Sequence, residues 1–191
     1  MRLILASASP RRRELLKLFH IPFSVEIADI DETMDSRAAP FEEVARVSRE
    51  KALAVEAVED AVVLAADTIV VCAGRVLGKP HSPQEATDML RLLSGRSHQV
   101  MTGCALRRGS RVESFTEVTE LTFRPLTEAE IARYVATGEP MDKAGAYGIQ
   151  GGGALFCTHM VGDYYNVRGL PVCRLYTALK RFAPELMEDS Q

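Results

Sequence analysis

The run Val62-Val63-Leu64-Ala65-Ala66-Asp67-Thr68-Ile69-Val70-Val71-Cys72 decides the fold. It is the most apolar stretch of the chain and reads as a buried strand. Ala73-Gly74 reads as a hairpin turn into a second strand at Arg75–Leu77. Upstream, Phe41–Ala57 reads as a long amphipathic helix with Phe41, Val44, Ala45, Ser48, Ala52 and Val55 on one face. Downstream, Ser82 caps a helix over Pro83–Leu93. Further out, Arg2–Ala6 is a short strand that leads into a helix over Arg11–Phe19. Ser9 caps that helix, Pro10 suits its first turn, and Leu15, Leu16 and Phe19 form its apolar stripe. Phe23–Ile27 reads as a strand. Ser97–Arg107 and Arg111–Phe123 read as two more, joined by a turn at Gly109-Ser110. A helix runs from Thr127 to Thr137, glycines and short strands fill 138–170, and Pro171–Phe182 is the last helix. Strands alternating with helices, plus a hairpin region, predict an α/β fold with a mixed sheet. Residues 1–183 form one domain in this reading, and 184–191 an acidic, frayed tail.

The composition narrows the function. With 191 residues, 47% hydrophobic and 26% charged, the chain can bury one sizeable core. Lys+Arg 23 against Asp+Glu 26 gives a net charge of −3. That leaves little room for the broad basic face that nucleic-acid binding requires. No stretch approaches the roughly 20 apolar residues of a membrane span. The apolar character of the N-terminus ends near Ala6, too early for a signal peptide, so the expected location is cytoplasmic. Cys72, Cys104, Cys157 and Cys173 are far apart, without a C-x-x-C pair, and read as buried thiols. The histidines are equally dispersed, so a metal here must be held by oxygen.

Five constellations carry chemistry. In Ser7-Ala8-Ser9-Pro10-Arg11-Arg12-Arg13, arginines crowd a helix N-terminus that already carries partial positive charge. The run reads either as a site where an anion supplies the missing charge, or as a solvated basic turn. Asp67 is a carboxylate within an apolar run, a costly placement unless it is paired, metal-bound or at a bend facing a cleft. The bland alternative is a strand break, with Asp67 and Thr68 forming a turn. Glu32, after Asp31, is an ordinary acidic loop residue by itself; beside Asp67 it completes an oxygen-only magnesium site. Lys51 falls at the edge of its helix's apolar stripe, and Lys79 sits on the tight connection Gly78-Lys79-Pro80; snorkelling is the alternative for both. The fifth is Asp142-Lys143-Ala144-Gly145-Ala146-Tyr147-Gly148-Ile149-Gln150-Gly151-Gly152-Gly153. Its glycines permit close backbone approach to a ligand, Tyr147 offers a stacking face and Gln150 an amide, unless the segment is a structural turn cluster. It matches neither G-x-x-x-x-G-K-[ST] nor G-x-G-x-x-G.

Taken in order, these segments resemble the Maf family. The likeness runs from Leu5-Ala6-Ser7-Ala8-Ser9-Pro10-Arg11-Arg12-Arg13-Glu14-Leu15-Leu16 through Arg49-Glu50-Lys51-Ala52, Ala66-Asp67-Thr68 and Gly78-Lys79-Pro80. It continues through Asp142–Gly151 to Gly169-Leu170-Pro171. The resemblance implies a single α/β domain with a curved mixed sheet flanked by helices, and two lobes around a cleft. That architecture is similar to the inosine triphosphate pyrophosphatases, and homodimers are common. The implied activity is hydrolysis between the α- and β-phosphates with a divalent cation, magnesium or alternatively manganese. The form of the glycine-rich segment resembles the dTTP/UTP-cleaving branch, a housecleaning role in the nucleotide pool. Its specificity positions correspond to Arg11, Thr68 and Gln150; the tail Gly151-Gly152-Gly153 and Val161–Asn166 vary among relatives.

Carried over residue by residue, the resemblance makes Asp67 the proton acceptor, with Lys51, Lys79 and Arg12 catalytic beside it. Ser7, Arg11, Arg12, Thr68, Tyr147 and Gln150 bind substrate, and Glu32 and Asp67 hold the metal. Two rival readings are a nucleotide-binding regulator of cell division without significant turnover, and the same chemistry with another base preference. A nucleic-acid-binding module is disfavoured by the acidic net charge and the absence of tryptophan.

Overall fold

The computed structural model describes residues 1–27, 29–35, 37–56 and 60–188. The predicted helix end at Ala57 and the last tail residues, 189–191, lie outside the described residues. The strands are β1 (Arg2–Ala6), β2 (Phe23–Val25), β3 (Ala61–Cys72), β4 (Arg75–Leu77), β5 (Ser97–Arg108), β6 (Arg111–Phe123) and β7 (Cys157–Val161). Among the described residues they form one seven-stranded sheet in the order β2-β1-β3-β5-β6-β7, with β4 paired to β3. The sheet is mixed, as expected. β1 runs parallel to β2 and β3, β4 is antiparallel to β3, and β7 is antiparallel to β6. The helices are α1 (Pro10–Leu16), α2 (Pro40–Ala54), α3 (Pro83–Leu93), α4 (Glu128–Ala136), α5 (Tyr164–Val167), α6 (Val172–Phe182) and α7 (Glu185–Glu188). No helix among the described residues is long and apolar enough to cross a membrane.

The chain divides into two compact units. The first comprises Met1–Asp67, Thr102–Glu117 and Gly169–Gln191; the second comprises Thr68–Met101 and Val118–Arg168.

In the first unit, strand periodicity sorts the core. Successive side chains of a strand point to opposite faces. Leu3 and Leu5 of β1 therefore join Val62, Leu64 and Ala66 of β3 on one face, packed with Leu15 and Leu16 of α1 and Leu175, Leu179 and Phe182 of α6. Ile4, Ala6, Ala61, Val63 and Ala65 form the other face, against Ala52 of α2 and Val55. Both faces are covered, which is why these strands read as unbroken apolar runs. Gly103 lies on the α2 side, where an added Cβ would overlap the carbonyl oxygen of Val44, so helix backbone and sheet backbone are nearly in contact.

Three expectations shift in detail. β2 ends at Val25 rather than Ile27, because its partner β1 ends: Val25 pairs with Leu5, and Glu26 N–H makes one further bond to the Leu5 carbonyl. The buried stripe of α2 is Glu43, Val44, Val47, Ser48, Lys51 and Ala52. Phe41, expected on it, is 48% exposed at the helix start. The cysteines are all free, but Cys173 on α6 is exposed and Cys157 half-buried; Cys72 and Cys104 are the buried pair. In addition, Leu186 of α7 is buried in the first unit's core.

In the second unit, α3 and α4 are closed by side-chain caps. Ser82 accepts from Glu85 N–H, and Thr127 and Glu130 form a reciprocal capping box. Between Gly138 and Leu170 the chain is mostly three-ten turns, at Glu139–Asp142, Ala144–Ala146 and Gly152–Phe156, with β7 the strand among the described residues. Gly138 (φ +75°) and Gly145 (φ +70°) explain why this stretch is not extended.

Candidate functional site

Parity along β3 places its one carboxylate. Asp67 continues the series Ala61, Val63, Ala65 and so faces α2, where Lys51 lies on the buried stripe of its helix. Lys51 Nζ donates to Asp67 Oδ1 at 2.7 Å and pairs with Glu32 Oε1 at 2.9 Å. Lys51 is 7% exposed and Asp67 8%, whereas the Glu32 side chain is half exposed. The lysine therefore does not snorkel. The strand does not break either: Asp67 and Thr68 are regular residues of β3.

The loop that carries Glu32 is tied to α2. Arg46 Nη2 donates to the Thr33 carbonyl at 2.9 Å, and Arg46 also binds Glu43 and Glu50. Asp35 N–H donates to Glu43 Oε2 at 2.8 Å. The sequence reading passed over this brace, because Glu43, Arg46 and Glu50 look like ordinary helix-face ion pairs.

The Ser7–Arg13 run links β1 to α1. Ser9 caps the helix, accepting from Arg12 N–H, and Ser7 Oγ accepts from Ser9 N–H at 3.2 Å. Arg12 Nε donates to the Gly169 carbonyl at 2.8 Å and Nη1 donates to Ser7 Oγ at 3.3 Å. Burial pulls the Arg12 guanidinium below its ordinary value, while the charges of Asp67 and Glu32 oppose that pull. An arginine keeps its charge through such a shift. Arg12, Asp67 and Glu32 thus share one electrostatic neighbourhood. Arg11 lies next to Arg12 and contributes like-charge repulsion to it. Nearby, burial pushes the Cys104 thiol up to about 12, which keeps it protonated and inert.

The first unit therefore gathers Ser7, Arg11, Arg12, Glu32, Lys51 and Asp67. Two carboxylates converge on one ammonium, so their oxygens already surround a cation. Among the described residues, no group of three or more His, Cys, Asp or Glu side chains could hold a metal. An oxygen pair completed by substrate phosphates and water is the set that magnesium takes. A groove of about 710 Å³ on the outer side of α2, lined by Phe41, Arg46, Leu53 and Phe115, contains none of the expected residues.

The second unit holds the remaining four. Thr68 is half-buried, and Lys79 and Gln150 are exposed. Gly145 N–H donates to the Gly78 carbonyl at 3.0 Å, which joins the Lys79 connection to the glycine-rich segment. Tyr147 departs from its expected role as a stacking face. It is 5% exposed, its hydroxyl bonds His98 Nε2 at 2.8 Å, and its ring meets Phe123 edge-on at 4.8 Å. The aromatic ring is core.

Comparison with known proteins shows the family to which the chain is similar. A family model described as "Maf-like protein" matches residues 2–182. A dTTP/UTP pyrophosphatase of Bacillus cytotoxicus is 52% identical over 180 residues, 94% of each chain. One of Bacillus velezensis is 52% identical over 182 residues, covering 95% of this chain and 96% of the relative. Among solved structures, a HAM1 protein from Coxiella burnetii matches with a TM-score of 0.51 at 20% identity, over 95% of this chain and 99% of that one. That likeness concerns the fold.

Proposed function

The chain belongs to the Maf-like protein family, and on that premise we propose that it hydrolyses dTTP and UTP to the nucleoside monophosphate and pyrophosphate. The observation that carries the reading is the buried Lys51–Asp67 pair within electrostatic reach of Arg12. A strand core does not tolerate such a carboxylate without a task or a partner, and here it has a cationic partner that also reaches the half-exposed Glu32. The names of relatives at 52% identity support the substrate.

In this reading Arg11, Arg12, Lys51 and Lys79 neutralise the triphosphate, and Ser7 adds a hydroxyl. Asp67 accepts a proton from water as the water oxygen bonds to the α-phosphorus. The bond from that phosphorus to the α–β bridging oxygen breaks, and pyrophosphate leaves with the electron pair. Lys51 fixes the orientation of the Asp67 carboxylate. Arg11, Thr68 and Gln150 select the base; an amide both donates and accepts, which matches the imide and carbonyl edge of uracil or thymine. Glu32 and Asp67 would hold magnesium, or alternatively manganese, which when bound neutralises phosphate charge. Tyr147 supports the glycine-rich segment from within the core.

The same reading makes the protein a cytoplasmic homodimer that clears unwanted pyrimidine triphosphates, and light scattering of the purified chain tests its oligomeric state. The decisive experiment measures pyrophosphate release from canonical and modified triphosphates with magnesium, manganese or chelator. We expect dTTP and UTP to lead and chelator to stop turnover. Release from purine triphosphates alone would sink the substrate assignment. Nucleotide binding without any release would favour a regulatory protein.

A further inference from the structure

Glu139 opens the three-ten turn Glu139–Asp142, just after Gly138. Its carboxylate is shared by two donors: Tyr134 Oη–H reaches Oε1 at 2.8 Å, and Gly152 N–H reaches Oε2 at 3.0 Å. The Tyr134 oxygen accepts in turn from Gly148 N–H at 2.9 Å. One phenol and one carboxylate thereby hold both ends of Gly148–Gly152. The turn is closed by Gly151 N–H on the Gly148 carbonyl at 3.2 Å, and Gln150 carries its exposed side chain.

The glycines are what permit this clasp. An added Cβ at Gly151 would overlap the Glu139 carboxylate, and one at Gly148 would lie 2.8 Å from Glu139 Oε1. At Gly152 it would lie 3.0 Å from the Tyr134 ring. Tyr134 is 5% exposed and stands edge-on to Phe156 at 5.0 Å, so the phenol is itself immobilised. Lys143 Nζ donates to the Glu139 carbonyl at 2.7 Å, anchoring the carboxylate's own backbone. A solvated turn needs none of these contacts.

We propose that Glu139, acting through Tyr134, is a positioning residue that sets base selectivity by fixing the loop that presents Gln150. The proposal rests on the reading of Gln150 given under Proposed function. In this role Glu139 acts through the loop, its carboxylate occupied by Tyr134 and Gly152, and determines where the amide stands. Glu139→Gln replaces one acceptor oxygen with an NH2 group, so Tyr134 and Gly152 cannot both keep their bonds. Tyr134→Phe removes the other half of the clasp.

The test compares pyrophosphate release from dTTP, UTP and CTP in wild type, Glu139→Gln, Tyr134→Phe, the double variant and Gln150→Ala. For Glu139→Gln we expect KM for dTTP and UTP to rise about tenfold, kcat to fall far less, and discrimination against CTP to shrink by a similar factor. Tyr134→Phe should act in the same direction, and the double variant should be no worse than the more severe single one, since both open the same clasp. Should Glu139→Gln fail to fold, Tyr134→Phe and Glu139→Asp carry the same comparison. Unchanged discrimination in folded variants, with only a lowered melting temperature, overturns the proposal. If Gln150→Ala alters selectivity while the clasp variants do not, the proposal fails and the function stands. If wild type releases no pyrophosphate from any triphosphate, the functional reading itself fails.

Discussion

A carboxylate at position 67 is tolerated inside an apolar strand because an ammonium lies 2.7 Å away on the facing helix. Asp67→Asn keeps the shape and removes the proton acceptor. We expect turnover to fall by roughly 10²–10⁴-fold, the usual contribution of a positioned base, while nucleotide binding stays measurable by titration calorimetry. Unimpaired turnover in the folded variant would reject Asp67 as base. This residue was legible in the sequence because a charge within an apolar run breaks a local rule. Lys51 was legible for the related reason that it falls beside an apolar stripe. Glu139 was not, since an acidic residue beside glycine and proline has the signature of an ordinary turn. Tyr147 misled in the opposite sense: its glycine-rich neighbours suggest surface, yet His98 and Phe123 enclose its ring.

At the level of elements, the approach of α2 to β5 is set by the missing side chain of Gly103. Gly103→Ala must push helix and sheet apart. A cost of about 1–3 kcal/mol is expected for such overpacking, read as a lower urea midpoint. Activity should fall more than stability alone explains, because α2 carries Lys51. An unchanged midpoint would mean that the two backbones are not held together as described. The regular elements themselves were well foreshadowed. Caps at Ser9 and Ser82 and the unbroken apolar runs of β1 and β3 leave direct marks on the chain. The stretch 138–170 was least readable, because three-ten turns have neither the period of a helix nor that of a strand. Phe41 shows a further limit: periodicity gives a stripe, but a residue at a helix start can turn away from it.

For the whole molecule, one contribution to the response to acid comes from a group outside the proposed chemistry. Burial holds His98 down at about 4 from an ordinary value of 6.5. Its folded value is depressed, so the unfolded chain takes up the proton first. The stabilisation is fully present above about pH 6.5 and is lost as pH falls toward 4. The shift corresponds to about 3 kcal/mol by linkage. Thermal melts from pH 7 to pH 4 should decline across that window, and His98→Asn should flatten the decline. A melting temperature independent of pH down to 4 would contradict the burial of the neutral imidazole.

The single ammonium that serves both Glu32 and Asp67 has a consequence when it is removed. Lys51→Met would leave two acids with a shared deficit of positive charge that the Arg12 guanidinium offsets only in part, and the variant would relieve the remainder from solution. Its resistance to heat should then climb with added magnesium chloride well beyond any salt effect seen in the parent protein, as ligand linkage requires. Calcium chloride or potassium chloride at matched ionic strength separates a specific rescue from simple screening. A mutant equally fragile in every salt would mean that the two acids do not act as one anionic seat.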